Sequence, residues 1–252
     1  MTAVITGASS GIGAALALAS AREGACLFLC GRNRERLDEV VKSCCARGAE
    51  AEGTVLDVTD AAAVTSWIQG VAEKGPINRV FANAGVSTGI ESAENVRQTF
   101  QVNIGGTVHT VLAAIDVMKN APKTARQIYI TASIAGYAPL AACPAYSATK
   151  SALKTWGLAL RGHLKKTGIE VGVICPGFVR SRITDQNTCP MPFFMEADQA
   201  ARLILRRADR HVGLIAFPWM MRFAVWFLSC LPYRVIEGIN RFLPTKTKKG
   251  HQ

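Results

Sequence analysis

The sequence predicts an α/β protein built on a doubly wound sheet of seven parallel strands with helices on both faces, plus a C-terminal apolar and basic helical extension. Three observations predict it. Short β-branched or apolar runs alternate with longer amphipathic stretches, the pattern of βαβ units. A glycine-rich turn joins the first run to an alanine- and leucine-rich segment. The 252 residues, 49% of them apolar, are enough for one well-filled core.

The runs expected as strands are Ala3–Thr6, Cys26–Leu29, Thr54–Leu56, Arg79–Ala82, Gln127–Thr131, Glu170–Cys175 and Gly213–Phe217. Helices are expected near 11–22, 34–47, 60–73, 93–119, 145–166 and 196–208, joined by right-handed crossovers. Residues 1–216 contain no linker, repeat or low-complexity tract and read as one domain. Residues 217–252 read as an amphipathic extension. The eight cysteines are scattered, with no CxxC pair and no nearby histidine, so neither a disulfide framework nor a metal site is expected. That usage points to a reducing, cytoplasmic setting. The chain opens directly into a strand and a glycine turn, which leaves no room for a signal peptide.

The first strand runs into Thr6-Gly7-Ala8-Ser9-Ser10-Gly11-Ile12-Gly13. Three glycines at a strand-to-helix turn suit a dinucleotide: Gly7 for the turn, Gly11 for approach to a pyrophosphate and Gly13 for close packing of the helix. The helix N-terminus offers N–H groups and positive potential to the same anion. The segment reads as the phosphate loop of a Rossmann-type sheet, with Ser9, Ser10 and Ile12 completing it, or as a glycine turn needed only for tight packing. At the end of the second strand, an NAD site places an acid on the ribose, whereas an NADP site uses arginine for the 2′-phosphate. Here the window reads Gly31-Arg32-Asn33-Arg34, and the first acid is Glu35. Arg32, with Asn33 beside it, therefore points to NADP(H). The plainer reading of Arg32 and Arg34 is a solvated helix start.

Tyr146 and Lys150 lie four residues apart and share a helix face that Leu153, Gly157, Leu160 and Leu164 continue. A nearby ammonium favours the phenolate, so the Tyr146 pKa is expected to fall from about 10, which would suit acid–base work near neutrality. Taken alone, Tyr-x-x-x-Lys is a common pattern.

Together, Thr6 to Gly13, Asp57, Asn83-Ala84-Gly85, Asn103, Ser133, Tyr146, Lys150 and Pro176-Gly177 resemble the ordered motifs of the classical short-chain dehydrogenases/reductases, over residues 2 to about 215. The resemblance implies a catalytic set of Asn103, Ser133, Tyr146 and Lys150. Tyr146 would be the acid or base on the substrate oxygen, and Ser133 would hold that oxygen. Lys150 would bind the nicotinamide ribose and lower the Tyr146 pKa, and Asn103 would kink its helix and anchor a relay water. It further implies that Asp57 and Val58 sit at the adenine edge, and that Asn83, Ala84 and Gly85 steady the central strand and a ribose. Pro176, Gly177, Val179 and Ser181 would clasp the carboxamide, with Ser181 where the family more often has Thr. Tyr146 and Lys150 thus also count among the cofactor contacts, and no metal is implied. Homodimers or homotetramers built on the helices near 93–119 and 145–166 are likewise implied.

Between Phe178 and Met195, a Met-Pro-Phe-Phe-Met cluster (Met191 to Met195) reads either as the apolar lining of a substrate cover or as side chains packed on the domain. Beyond it, residues 201–252 hold ten basic residues against Asp209 and Glu237, interleaved with Phe, Trp, Leu and Met rather than gathered in the stripe of a nucleic-acid protein. Pro218 to Pro232 encloses an aromatic, apolar stretch too short to cross a bilayer. Tyr233 to Leu243 follows as an amphipathic segment, and Lys246, Lys248 and Lys249 come after it. The extension reads either as a peripheral contact with the inner face of a membrane or as packing on another subunit or over the substrate pocket. The expected activity is NADP(H)-dependent interconversion of an apolar carbonyl compound, such as a lipid, steroid or oxoacyl group, with its alcohol. The alternative is a non-catalytic NADP-sensing or interaction protein that keeps the fold.

Overall fold

Each apolar run forms a strand: β1 (Thr2–Thr6), β2 (Cys26–Gly31), β3 (Glu50–Val55), β4 (Arg79–Ala82), β5 (Gln127–Thr131), β6 (Glu170–Pro176) and β7 (Leu214–Phe217). In the computed structural model, which describes residues 1–88, 91–121, 126–181, 184 and 191–242, they make one seven-stranded sheet in the order β3-β2-β1-β4-β5-β6-β7. Every pairing is parallel. The strand order reverses between β1 and β4, so the crossovers leave on opposite faces and open a crevice at the carboxyl ends of the strands.

The helices are α1 (Gly11–Ser20), α2 (Arg34–Cys45), α3 (Ala61–Glu73), α4 (Ala93–Phe100), α5 (Thr107–Asn120), α6 (Pro144–His163), α7 (Ala197–Ala208), α8 (Trp219–Ser229) and α9 (Tyr233–Phe242). Asn33, Asp60 and Ser92 cap α2, α3 and α4 by accepting from the backbone N–H three residues on, each worth about 1 kcal/mol. Alternate strand residues serve opposite layers. Val4, Val80, Ile128 and Val171 pack with α3, α5 and α6, whereas Ile5, Leu29, Phe81, Tyr129 and Ile174 pack with α1, α2 and α7. Burial on both faces is why the central strands read as unbroken apolar runs.

Two elements depart from expectation. β3 begins at Glu50, ahead of the run at Thr54, because it is the sheet edge and its residues are mostly exposed, so Glu50 and Glu52 are tolerated. The single helix expected over 93–119 is broken by a π-helical turn, Gln101–Gly106, between α4 and α5. An extra residue in one turn leaves the apolar period nearly intact, so periodicity does not reveal it. The extension forms α8 and α9. Cys189, Pro190, Leu243, Lys246, Lys248 and Lys249 lie outside the described residues, as do all of 243–252.

Candidate active site

A cleft of about 550 Å³ lies at the carboxyl edge of the sheet, bordered by the β1–α1 turn and by the ends of β2, β4, β5 and β6. Gly7 holds the turn at φ +68, a conformation that disfavours a side chain. Thr6 locks it from below: its hydroxyl accepts from the N–H groups of Asn83 (3.0 Å) and Ala84 (3.1 Å). The Asn83 amide donates to the Thr6 carbonyl at 3.2 Å, and its oxygen accepts from Thr131 at 3.2 Å, so one side chain ties together β1, β4 and β5. Ser10 precedes α1 without a side-chain cap, and the first turn holds no acid. The α1 N-terminus therefore presents its N–H groups at the cleft, where an anion suits them. Ser181 closes over the loop, since a β-carbon on Gly11 would come within 2.9 Å of Ser181 Cβ.

Across the cleft, β5 delivers Ser133 and α6 delivers Tyr146 and Lys150. Ser133 hydrogen-bonds the Tyr146 phenol, and its hydroxyl also accepts from the Ala135 N–H at 3.1 Å. Ser147 fixes the intervening turn by donating to the Ala135 and Ala138 carbonyls at 2.7 and 3.0 Å. Lys150, 3% exposed, donates to the Thr131 carbonyl at 2.8 Å and lies 5.6 Å from the Tyr146 ring centroid. Behind it, fully buried Asn103 accepts from Val86 N–H (2.8 Å) and donates to the Val86 carbonyl (3.0 Å) and Thr149 hydroxyl (3.1 Å). The π-helical turn that carries Asn103 places it beside Gly85 and Lys150, because a β-carbon on Gly85 would lie 3.2 Å from Asn103 Oδ1 and 3.3 Å from Lys150 Nζ.

Gly7, Ser9, Ser10, Gly11, Ile12, Arg32, Asn33, Asp57, Val58, Asn83, Ala84, Gly85, Ser133, Tyr146, Lys150, Pro176, Gly177, Val179 and Ser181 all line this one cleft. Gly13 and Asn103 stand behind its wall. A family model for short chain dehydrogenase matches residues 1–190. The chain belongs to the short-chain dehydrogenases. It is 36% identical over 248 residues to an uncharacterized oxidoreductase of Myxococcus xanthus, an alignment covering 96% of this chain and 97% of that one. A short-chain dehydrogenase from Sphingobium yanoikuyae in complex with NADPH superimposes with TM-score 0.79 and 26% identity, over 98% of this chain and 97% of that one. One from Burkholderia phymatum in complex with NAD gives 0.82 and 26%, over 100% and 98%. The protein is thus an oxidoreductase of this family, whose fold binds a nicotinamide cofactor.

The dehydrogenase corrects several expectations. Burial pushes the Tyr146 phenol up to about 12, against the lowering effect of the Ser133 hydrogen bond, where a fall was expected from Lys150. The reason is that Lys150 directs its ammonium to the Thr131 carbonyl, while burial pushes Lys150 itself down to about 8. Tyr146 is therefore a neutral proton donor across the physiological range. Asn33 reaches the cleft edge, but its side-chain oxygen accepts from Arg36 N–H at 2.9 Å as a helix cap. Gly13 packs α1 closely against the turn, as its place in the glycine spacing implied, and does not line the cleft. Phe193 and Phe194 stay partly exposed and neither line the cleft nor join the core. Met195 instead joins their segment to the cleft wall, through Met195 N–H to the Phe178 carbonyl (2.9 Å) and Arg180 N–H to the Met195 carbonyl (2.9 Å).

Lys150 gives the dehydrogenase a pH signature. Below about pH 8 the ammonium is charged and attracts an anionic dinucleotide; as pH rises through 8 the charge is lost. Cofactor affinity, followed by fluorescence titration between about pH 7 and 9, is expected to weaken above pH 8 by up to about tenfold per unit. Lys150→Met should flatten that profile. A wild-type profile already flat would separate Lys150 from cofactor binding.

Sequence reading passed over Arg36. It lines the cleft four residues after Arg32, and its Nε is buried without an acceptor among the described residues. A signal was available: Arg34 and Arg36 occupy the first turn of α2, where the helix dipole disfavours cations unless an anion is held nearby.

Proposed function

We propose that the dehydrogenase is an NADP(H)-dependent carbonyl reductase that interconverts an apolar ketone or aldehyde with its alcohol. The observation that carries this is the Ser133–Tyr146 pair, a hydroxyl and a neutral phenol hydrogen-bonded in the wall of the cleft that the glycine turn borders, with Lys150 in the same wall. The glycine turn, the open N-terminus of α1 and the unpaired Arg36 Nε fit a dinucleotide in the cleft. Residues Gly7 to Ile12 would hold its pyrophosphate, and Lys150 its nicotinamide ribose. The chemistry a nicotinamide supplies when bound is reversible hydride transfer at the carbonyl carbon. Tyr146 donates its proton to the carbonyl oxygen, and Ser133 hydrogen-bonds that oxygen as its negative charge develops. Asn103 keeps Gly85 and the Lys150 segment in register through its bonds to Val86 and Thr149.

Arg32 and Arg36 support the preference for a 2′-phosphate. Arg32 lies 3.9 Å from Asp57, an exposed and weak pairing that leaves its remaining donors for a phosphate. The preference rests on these side chains, since similar folds bind NADPH in one relative and NAD in another. Arg32→Ala and Arg36→Ala are each expected to weaken NADPH binding about tenfold or more, as loss of a charge-assisted hydrogen bond implies, while leaving NADH binding nearly unchanged. Val86 and Val102, which line the cleft, support an apolar substrate. Exposed Phe100, Leu112 and Leu158 on α4, α5 and α6 support a homodimer or homotetramer joined through those helices, and the scattered cysteines of the sequence support a reducing cytoplasm. NADPH oxidation against a panel of hydrophobic ketones and aldehydes tests the reading. Cofactor binding without turnover of any of them would favour a nucleotide-sensing protein instead.

A further inference from the structure

The extension carries the largest concentration of exposed aromatic surface among the described residues: Trp219 is 73% exposed, Phe223 60%, Trp226 50% and Phe227 54%. Helix α8 is apolar on two opposite sides. Met221, Val225 and Leu228, spaced by four and three, are partly buried, and Met221 and Val225 pack on the core. Trp219, Phe223, Trp226 and Phe227 repeat at similar spacing half a turn away and face outward. A helix that is apolar all round is at home only with apolar surroundings on both sides, and here the protein supplies one side alone. In α9, Ile236 is buried while Val235 and Ile239 are exposed.

Charge identifies what supplies the other side. Residues 218–252 contain Arg222, Arg234, Arg241, Lys246, Lys248 and Lys249 against Glu237 alone, and Arg222 and Arg234 are exposed on the two helices. A second copy of the chain brings the same positive charge to the same patch, so two-fold pairing of this face sets like charges together. An anionic lipid surface neutralises them. Trp and Phe suit the headgroup boundary, and basic residues beside an apolar helix face are the composition of an in-plane membrane helix. Among the described residues no helix is long and apolar enough to cross a bilayer, so this one lies flat.

We infer that the α8–α9 face is a membrane-docking surface, laying Trp219, Phe223, Trp226 and Phe227 into the interface of an anionic bilayer with Arg234 at the headgroups and Arg222, beside the Tyr137 phenol, at the border of the face. The bilayer then lies one helix away from the cleft. On its inner side α8 reaches Gly177, where a β-carbon would come within 3.3 Å of Met221 Sδ.

The full chain, mixed with sucrose-loaded phosphatidylcholine vesicles with or without phosphatidylglycerol, is the test. The protein should sediment with the anionic vesicles, at least several-fold less with the neutral ones, and less again in high salt. Trp226→Ser/Phe227→Ser should release it into the supernatant while keeping the wild-type melting temperature and cofactor affinity, and Trp219→Ser/Phe223→Ser should do the same. Protein that stays in the supernatant with both vesicle types overturns the inference. So does an unsedimented wild type whose subunits separate in gel filtration on the same substitutions, which assigns the face to a second copy. Vesicle binding is read without substrate, so it stands or falls separately from the carbonyl reductase reading.

Discussion

Tyr146→Phe is expected to lower turnover by about 10²–10⁴-fold, the contribution of a positioned general acid. The substitution keeps the aromatic ring, whose centroid is 5.6 Å from Lys150 Nζ, and removes only the hydroxyl that Ser133 engages. Cofactor affinity and melting temperature should therefore hardly change, which separates a lost proton donor from a damaged fold. A loss of this size corresponds to about 3–5 kcal/mol of transition-state stabilisation. Because burial holds the phenol near 12, the wild-type enzyme in the reducing direction should show no rate loss from Tyr146 ionisation through neutral pH. Steady-state NADPH oxidation by the two proteins on one active carbonyl is the measurement, and equal rates would remove Tyr146 from the mechanism.

The second large effect is expected from Gly13→Ala. A β-carbon there would lie 2.2 Å from the Gly7 carbonyl oxygen and 2.7 Å from Asn83 Nδ2. Neither neighbour can yield cheaply, because one is backbone of the phosphate loop and the other holds β1, β4 and β5 together. Helix α1 would have to lift from the sheet, disturbing the packing of buried Leu16 and Ala17. Overpacking of this kind costs about 1–3 kcal/mol, a drop of roughly 2–12 °C in Tm for a domain of this size. Cofactor binding should weaken as well, since the loop moves with the helix. Gly70→Ala is the comparison: Gly70 lies in α3 with nothing within 4 Å of the added carbon, and the better helix propensity should stabilise by about 1 kcal/mol. Thermal melts of both variants check the contrast, and a Gly13→Ala protein as stable as the parent would show that the approach of α1 is not tight.

The strands were legible where both faces are buried, since Val4-Ile5 and Ile128–Ile130 have no polar side to confuse the pattern. Edge strand β3 was legible only at its end, because exposure lets Glu50 and Glu52 occupy strand positions. The six expected helix starts were legible to within one residue. The π-helical turn was not legible from periodicity, although the resemblance implied a kink at Asn103, which this turn carries. Arg36 was passed over because one arginine in a charged helix start is unremarkable until its Nε is seen buried without an acceptor.

Local chemistry along the chain was enough to determine the order of strands and helices, the glycine turn and the residue types that could move a proton. Those properties depend on neighbours within one turn or one strand, and a linear sequence records them directly. Only the tertiary structure decided the sign of the Tyr146 shift, the partner of Lys150 and the outward direction of the α8 aromatics. Protonation and exposure depend on which groups from distant segments displace water around a side chain. Thr131 lies 19 residues from Lys150, and its carbonyl accepts the Lys150 hydrogen bond.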